Sequence, residues 1–155
     1  FMLGLPGGAY LYQGEELGLP EHTTLDGKYR QDPTWFRTKG ERVGRDGCRV
    51  PLPWESGVNE SNGFSTHGGD GWLPQPESYK RYARNLQEGQ PGSTLELYKR
   101  LLKVRKQFNK GVLVLANFEG HPVTLPAGEI LVTTQHDLRV EGELEHDQTV
   151  WIKLS

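Results

Sequence analysis

The stretch "GLPGGAYLYQGEELGLPE", Gly4–Glu21, holds a five-residue apolar and aromatic run, Ala9–Gln13, between Gly7-Gly8 and Gly14. Its length and its glycine boundaries predict a buried strand inside a sheet. If the strand continues past Gly14, the adjacent Glu15 and Glu16 point to opposite faces and make a poor catalytic pair. The glycines of "GLPGGAY" match neither the dinucleotide-binding nor the P-loop spacing, and no Lys-Ser or Lys-Thr follows them, so a phosphate cradle is rejected. The chain opens on apolar residues with Met2 in second place, which reads as a cut through a larger polypeptide.

Downstream of this run, from about Glu16 to Gly92, no period of 2 or 3.6 is sustained. The segment is crowded with Pro, Gly, Asp, Asn and Trp, and so long a loop is expected to carry function or to belong to a larger body. The 155 residues include 20 glycines and 10 prolines, with 34% hydrophobic residues, so a loop-rich chain with a modest core is expected. A net charge of −2 with both signs interspersed disfavours a nucleic-acid groove or a polybasic membrane patch. No apolar run approaches the roughly 18 residues of a membrane span. A single cysteine, Cys48, forms no internal disulfide, which fits a reducing, cytoplasmic compartment.

Ser93 and Glu96 in "STLE" form a capping box, and Leu95, Tyr98, Leu101, Leu102 and Phe108 are assigned to one apolar face of the helix that follows. Lys99, Arg100, Lys103, Arg105 and Lys106 fall toward its negative end. Beyond it, "GVLVLANF", "HPVTLPAG", "EILVTT" and "TVWIKLS" are short β-branched runs between turn residues, and Val150, Ile152 and Leu154 alternate with Trp151 and Lys153. These predict a small antiparallel β-sandwich of about 45 residues, too small to stand alone.

The chemistry narrows by elimination. None of the five histidines, His22, His67, His121, His136 and His146, pairs at metal-ligand spacing, so neither a metal nor another cofactor is expected. Cys48 has no nucleophile signature around it. The aromatic-rich loops suit a sugar, because ring faces stack on pyranoses and charged groups bond hydroxyls. Glu15, Glu16, Asp32, Asp46, Glu55 and Asp70 are the carboxylates that a glycosidase pair could draw on, and spacing does not choose among them. Solvated or structural carboxylates remain the plainer reading.

In "RDGCRVPLPWE", Arg45–Glu55, two arginines flank an acid and a cysteine before two prolines and a tryptophan, a pattern too proline-broken for a helix. This stretch is similar to the Arg-Asp-x-x-Arg-x-Pro-x-x-Trp segment of α-glucosidases and oligo-1,6-glucosidases in glycoside hydrolase family 13, the α-amylase family. The Gly4–Glu21 stretch resembles the segment at that family's eighth barrel strand. "GFSTHGGDGWLP" and "STLELYKRLLKVRK" resemble the next two landmarks in order. The match runs over about residues 3 to 108 and more loosely through the C-terminal strands. "ARNLQ", Ala83–Gln87, departs from an Asn-Val-Glu-x-Gln run. "RKQFNKGVLV" lacks a turn and strand pair that the family places there, which leaves an unpaired edge strand or residues missing between Asn109 and Lys110.

The resemblance implies the last strand and helix of a (β/α)8 barrel over 1–108, with a long loop after that strand, and a C-terminal β domain over 109–155. It implies a retaining, exo-acting α-glucosidase whose nucleophile, acid/base and stabilising aspartate lie on earlier strands. No carboxylate of this chain is then catalytic. Arg49 is implied to bond the terminal hydroxyls of the sugar at the cleaved end, with Arg45 in the same loop and Trp35, Trp54 and Trp72 as stacking platforms or loop pins. The implied partners are an oligosaccharide and the N-terminal part of the same barrel. A trehalose synthase or sucrose isomerase would show nearly the same tail, and a non-catalytic glycan-binding module is the alternative from another class.

Overall fold

The structure, a computed structural model, describes residues 1–69, 71–107, 111–135, 138 and 142–154. Asp70, His136, Phe108 and the junction between Asn109 and Lys110 therefore lie outside the described residues, as does the expected boundary at 108/109. The chain divides into two compact units, one of residues 11–96 and one of residues 1–10 with 97–155.

The unit of residues 11–96 is built from turns, as its lack of period predicts. It contains 3-10 turns at Glu15–Leu17, Gly27–Tyr29, Asp46–Cys48 and Glu77–Tyr82, and two short helices, α1 (Pro33–Arg37) and α2 (Arg84–Gln87). Leu25, Val50, Leu73 and Tyr79 form its small core. Irregular backbone leaves donors and acceptors that must find partners, and buried polar side chains supply them here. Arg30 donates from Nε to Leu25 O at 3.0 Å, from Nη1 to Val43 O at 2.9 Å and from Nη2 to Thr23 O at 2.9 Å. Gln87 Nε2 donates to Leu17 O and Tyr82 O, each at 2.9 Å, and its Oε1 accepts from Leu95 N at 3.1 Å. Gln87, at the end of the divergent "ARNLQ" stretch, therefore works as a buried brace.

The predicted helix is α3, Thr94–Gln107. Ser93 Oγ accepts from Glu96 N at 3.2 Å, the expected half of the capping box. Glu96 Oε1 accepts from Gly89 N at 2.9 Å, so its carboxylate also serves the loop before the helix. From Leu97 onward the helix belongs to the second unit, where Leu101 and Val104 are buried and Leu97 and Tyr98 pack beside them. Leu102 corrects the predicted stripe: it is 46% exposed, because one residue past Leu101 is about 100° around the helix. Two of the basic residues tie down carbonyls. Arg100 Nη2 donates to Leu131 O at 2.9 Å, and the Arg105 guanidinium donates to the carbonyls of Leu3, Leu5 and Gly7.

All strands pair antiparallel: β1 (Val112–Asn117), β5 (Gln148–Lys153) and β3 (Glu129–Thr133) form one sheet in that spatial order, and β2 (Val123–Thr124) pairs with β4 (Glu143–Leu144). The alternation expected of the last strand is overturned, since Val150, Trp151 and Ile152 are all buried and Leu154 is exposed. As the central strand, β5 is covered on both faces. Trp151 joins Leu3, Leu101, Val104, Leu131 and Val132, while Val150 and Ile152 join Leu125 and Leu144. A bulge between Ile130 and Val132 lets the consecutive Leu131 and Val132 enter the same cluster.

Two expectations about the opening stretch fail. No strand forms over Ala9–Gln13; Tyr10 is 90% exposed, and Leu11 and Tyr12 are exposed with it. A strand needs a hydrogen-bonding neighbour, and the described strands of this chain pair only with one another. Glu15 and Glu16 accordingly sit in a 3-10 turn rather than on two faces of a strand, and Glu16 Oε2 accepts from Gly14 N at 2.9 Å.

Candidate functional site

The Arg45–Glu55 segment is organised by two carboxylates from different turns. Asp46 is fully buried, and its Oδ2 accepts from Gln31 N at 3.0 Å and from Asp32 N at 2.9 Å. Asp32 begins α1 ahead of Pro33, with Oδ1 accepting from Thr34 N at 2.8 Å, as an N-cap does, and Oδ2 accepting from Arg45 N at 3.0 Å. These bonds cross-link residues 31–34 to residues 45–46. The Thr34 N–H first, then the Arg45 N–H, with the Arg49 charge adding to them, hold the Asp32 carboxyl below its usual range against the opposing effect of burial.

Arg49 follows on the same 3-10 turn. Its Nη1 lies 3.4 Å from Asp46 Oδ1 and its Nη2 3.9 Å from Asp32 Oδ2, while the side chain stays 41% exposed. The guanidinium is thus anchored on one side and open on the other. Arg45 contributes its backbone N–H to Asp32 and is exposed, so the structure brings the two arginines to one turn but engages only Arg49 with both acids. Spacing alone could not reveal that Asp32 meets Arg49 across 17 residues. The sequence signal was an Asp-Pro-Thr helix start, which predicts a cap and says nothing of an arginine.

The residues flanking Arg49 face elsewhere. Cys48 and Val50 line a recess of about 150 Å³ together with Tyr12, Glu15, Glu21 and Tyr79. Burial, then the Glu21 charge, pushes the Cys48 thiol up, which suits an ordinary packed side chain better than a thiolate nucleophile. Tyr79, also raised by burial first, reaches about 12 and donates its hydroxyl to Pro20 O at 2.8 Å. The tryptophans divide. Trp35 is a pin: the Arg30 guanidinium stacks on it at 5.2 Å, and a Cβ at Gly27 or Gly40 would come within 2.9 or 3.2 Å of its ring. Trp54 and Trp72 keep exposed surface. Among the described residues no group of three His, Cys, Asp or Glu side chains is placed to hold a metal ion, and no helix is long and apolar enough to cross a membrane.

A family model, the α-amylase catalytic domain, matches residues 1–112. The chain belongs to the α-amylase family, glycoside hydrolase family 13. It is 42% identical over 105 residues to a probable α-glucosidase of Rhizobium meliloti (strain 1021), an alignment covering 68% of this chain and 18% of that protein. It is 30% identical over 124 residues to an oligo-1,6-glucosidase of Parageobacillus thermoglucosidasius, covering 69% and 21%. The chain thus spans about a fifth of the length of these curated relatives. Its fold resembles part of the isomaltulose synthase of Klebsiella sp. LX3, with a TM-score of 0.79 at 20% identity, covering 99% of this chain and 36% of that one. The structural neighbours are barrel enzymes of family 13, and this chain is an antiparallel, sheet-rich piece of that fold.

Proposed function

We propose that the chain is the C-terminal part of a retaining, exo-acting α-glucosidase that hydrolyses α-1,4 or α-1,6 glucosidic bonds at the non-reducing end of oligosaccharides. Residues 1–108 are the end of its catalytic (β/α)8 barrel and residues 109–155 its C-terminal β domain, arranged as a small sandwich. The exposed Tyr10, Leu11 and Tyr12 are then covered only when the N-terminal part of the same barrel is beside them. The reacting carboxylates come from that part, and the working compartment is the cytoplasm.

The observation that carries the reading is the half-anchored Arg49 guanidinium, fixed near Asp46 and Asp32 and open on its other side. A planar fork of donors suits the vicinal hydroxyls of a terminal sugar, and its bulk and charge stop a chain that continues past that sugar. Arg45, exposed on the same turn, is the second substrate-facing candidate. It is tied to Asp32 through its backbone N–H, whereas the Arg49 guanidinium lies against both carboxylates, so its share is the smaller. The 42% identity to a probable α-glucosidase favours hydrolysis over transfer to a second sugar.

The test is Arg49→Ala in the whole enzyme, assayed on maltose and isomaltose. A charged bond to a terminal hydroxyl is worth on the order of 1.5–3 kcal/mol, so kcat/KM should fall at least about tenfold. Near-normal kinetics on both sugars would sink the assignment.

A further inference from the structure

Arg49 is aimed by groups that are themselves immobile. Each carboxylate beside it already holds backbone donors: Gln31 N and Asp32 N on Asp46, and Thr34 N and Arg45 N on Asp32. Turning either carboxylate breaks those bonds, so the guanidinium meets two fixed negative points rather than two pliable side chains. At 3.9 Å the Asp32 contact is a charge contact and not a hydrogen bond. It sets direction, because Asp46 alone, three residues before Arg49, leaves the far Nη2 free to swing. Room for Asp32 comes from Gly44, at φ +68°, where a Cβ would lie 2.5 Å from Asp32 Cγ.

We propose that Asp32 is a positioning residue for substrate recognition, holding the second guanidinium nitrogen of Arg49 so that the open side of the fork faces the sugar. The proposal rests on the reading that Arg49 binds the terminal sugar. Asp32 touches no substrate in this account; its negative charge acts through Arg49. A purely structural Asp32, needed only to cap α1 and to hold residue 45, would matter equally with or without the arginine.

A double-mutant cycle in the whole enzyme separates these cases. Asp32→Asn and Asp32→Ser each keep an acceptor for the Thr34 N–H and remove the charge. Each is made alone and with Arg49→Ala, and kcat/KM on maltose is measured beside the urea midpoint. With Arg49 present, loss of the charge should lower kcat/KM on the order of tenfold. In the Arg49→Ala background the same change should cost less than about twofold. Equal losses in both backgrounds, or no loss with Arg49 present, overturn the proposal while leaving Arg49 as the sugar contact. Wild-type kinetics for Arg49→Ala alone would instead remove the reading beneath it, and the proposal with it. Should Asp32→Asn fail to fold, Asp32→Ser carries the same comparison. If both fail, Gly44→Ala, which displaces the carboxylate without removing it, must show the same dependence on Arg49 or the proposal falls.

Discussion

Replacing Gln87 by methionine keeps volume and removes three hydrogen bonds at once, which makes it a sharp test of how the irregular unit holds together. Leu17 O loses its donor in a fully buried setting, while Tyr82 O loses its donor and Leu95 N its acceptor in partly buried ones. A buried orphan costs roughly 1–3 kcal/mol, and a partly solvated one about 0.5–1 kcal/mol because water repairs some of the loss. The total is about 2–5 kcal/mol, large against the roughly 5–15 kcal/mol typical of a domain. Urea unfolding followed by the fluorescence of Trp35, Trp54 and Trp72 reads this unit. With a slope of about 2 kcal/mol per molar, the middle of the usual range, the midpoint should fall by roughly 1–2.5 M at unchanged slope. A shift under about 0.2 M would show that the loops are held by their small apolar core and that the amide bridge is incidental.

Other outcomes follow from the same contacts. Trp151 Nε1 is buried and has no hydrogen-bond partner among the described residues, so Trp151→Phe should be tolerated within about 1.5 kcal/mol, whereas Trp151→Ala should cost about 3–5 kcal/mol; equal costs by thermal unfolding would contradict this. Burial, with the Arg30 charge second, lowers the His22 pKa, so the folded state binds fewer protons than the unfolded one and stability rises with pH. That contribution is complete above the unfolded value of about 6.5 and is lost as pH falls below it. His22→Gln should flatten the decline in urea midpoint between about pH 6.5 and 5, and an unchanged slope would refute the assignment. The 155-residue chain on its own should associate at micromolar concentration through exposed Leu5, Tyr10, Leu11 and Tyr12, and a sharp monomer in sedimentation would speak against it.

Periodicity made α3 and the antiparallel strands legible, because both are short-range patterns written in residue spacing. Helix phase was less so: Leu97 and Val104, rather than Leu102, face the sheet, and only the position of the covering strands decides that. The last strand misled for the same reason, since alternation predicts one wet face and β5 has none. Ala9–Gln13 carries strand composition but finds no partner among the described strands, and pairing is a long-range fact that local composition does not contain. At the site, the Arg45–Glu55 motif pointed to Arg49. The Asp32 contact, and the glycine that admits it, arise from folding residues 31–34 back onto residues 44–49.

Recognition of the sugar's end by Arg49 pairs a guanidinium with a hydroxyl, and both can be removed. The most direct measurement compares kcat/KM for maltose and for maltose lacking the hydroxyl at its non-reducing C4, in the wild-type enzyme and in Arg49→Ala. Deoxygenation should cost the wild type about tenfold or more and the variant almost nothing. Equal losses in the two enzymes would mean that some other group reads the end of the sugar.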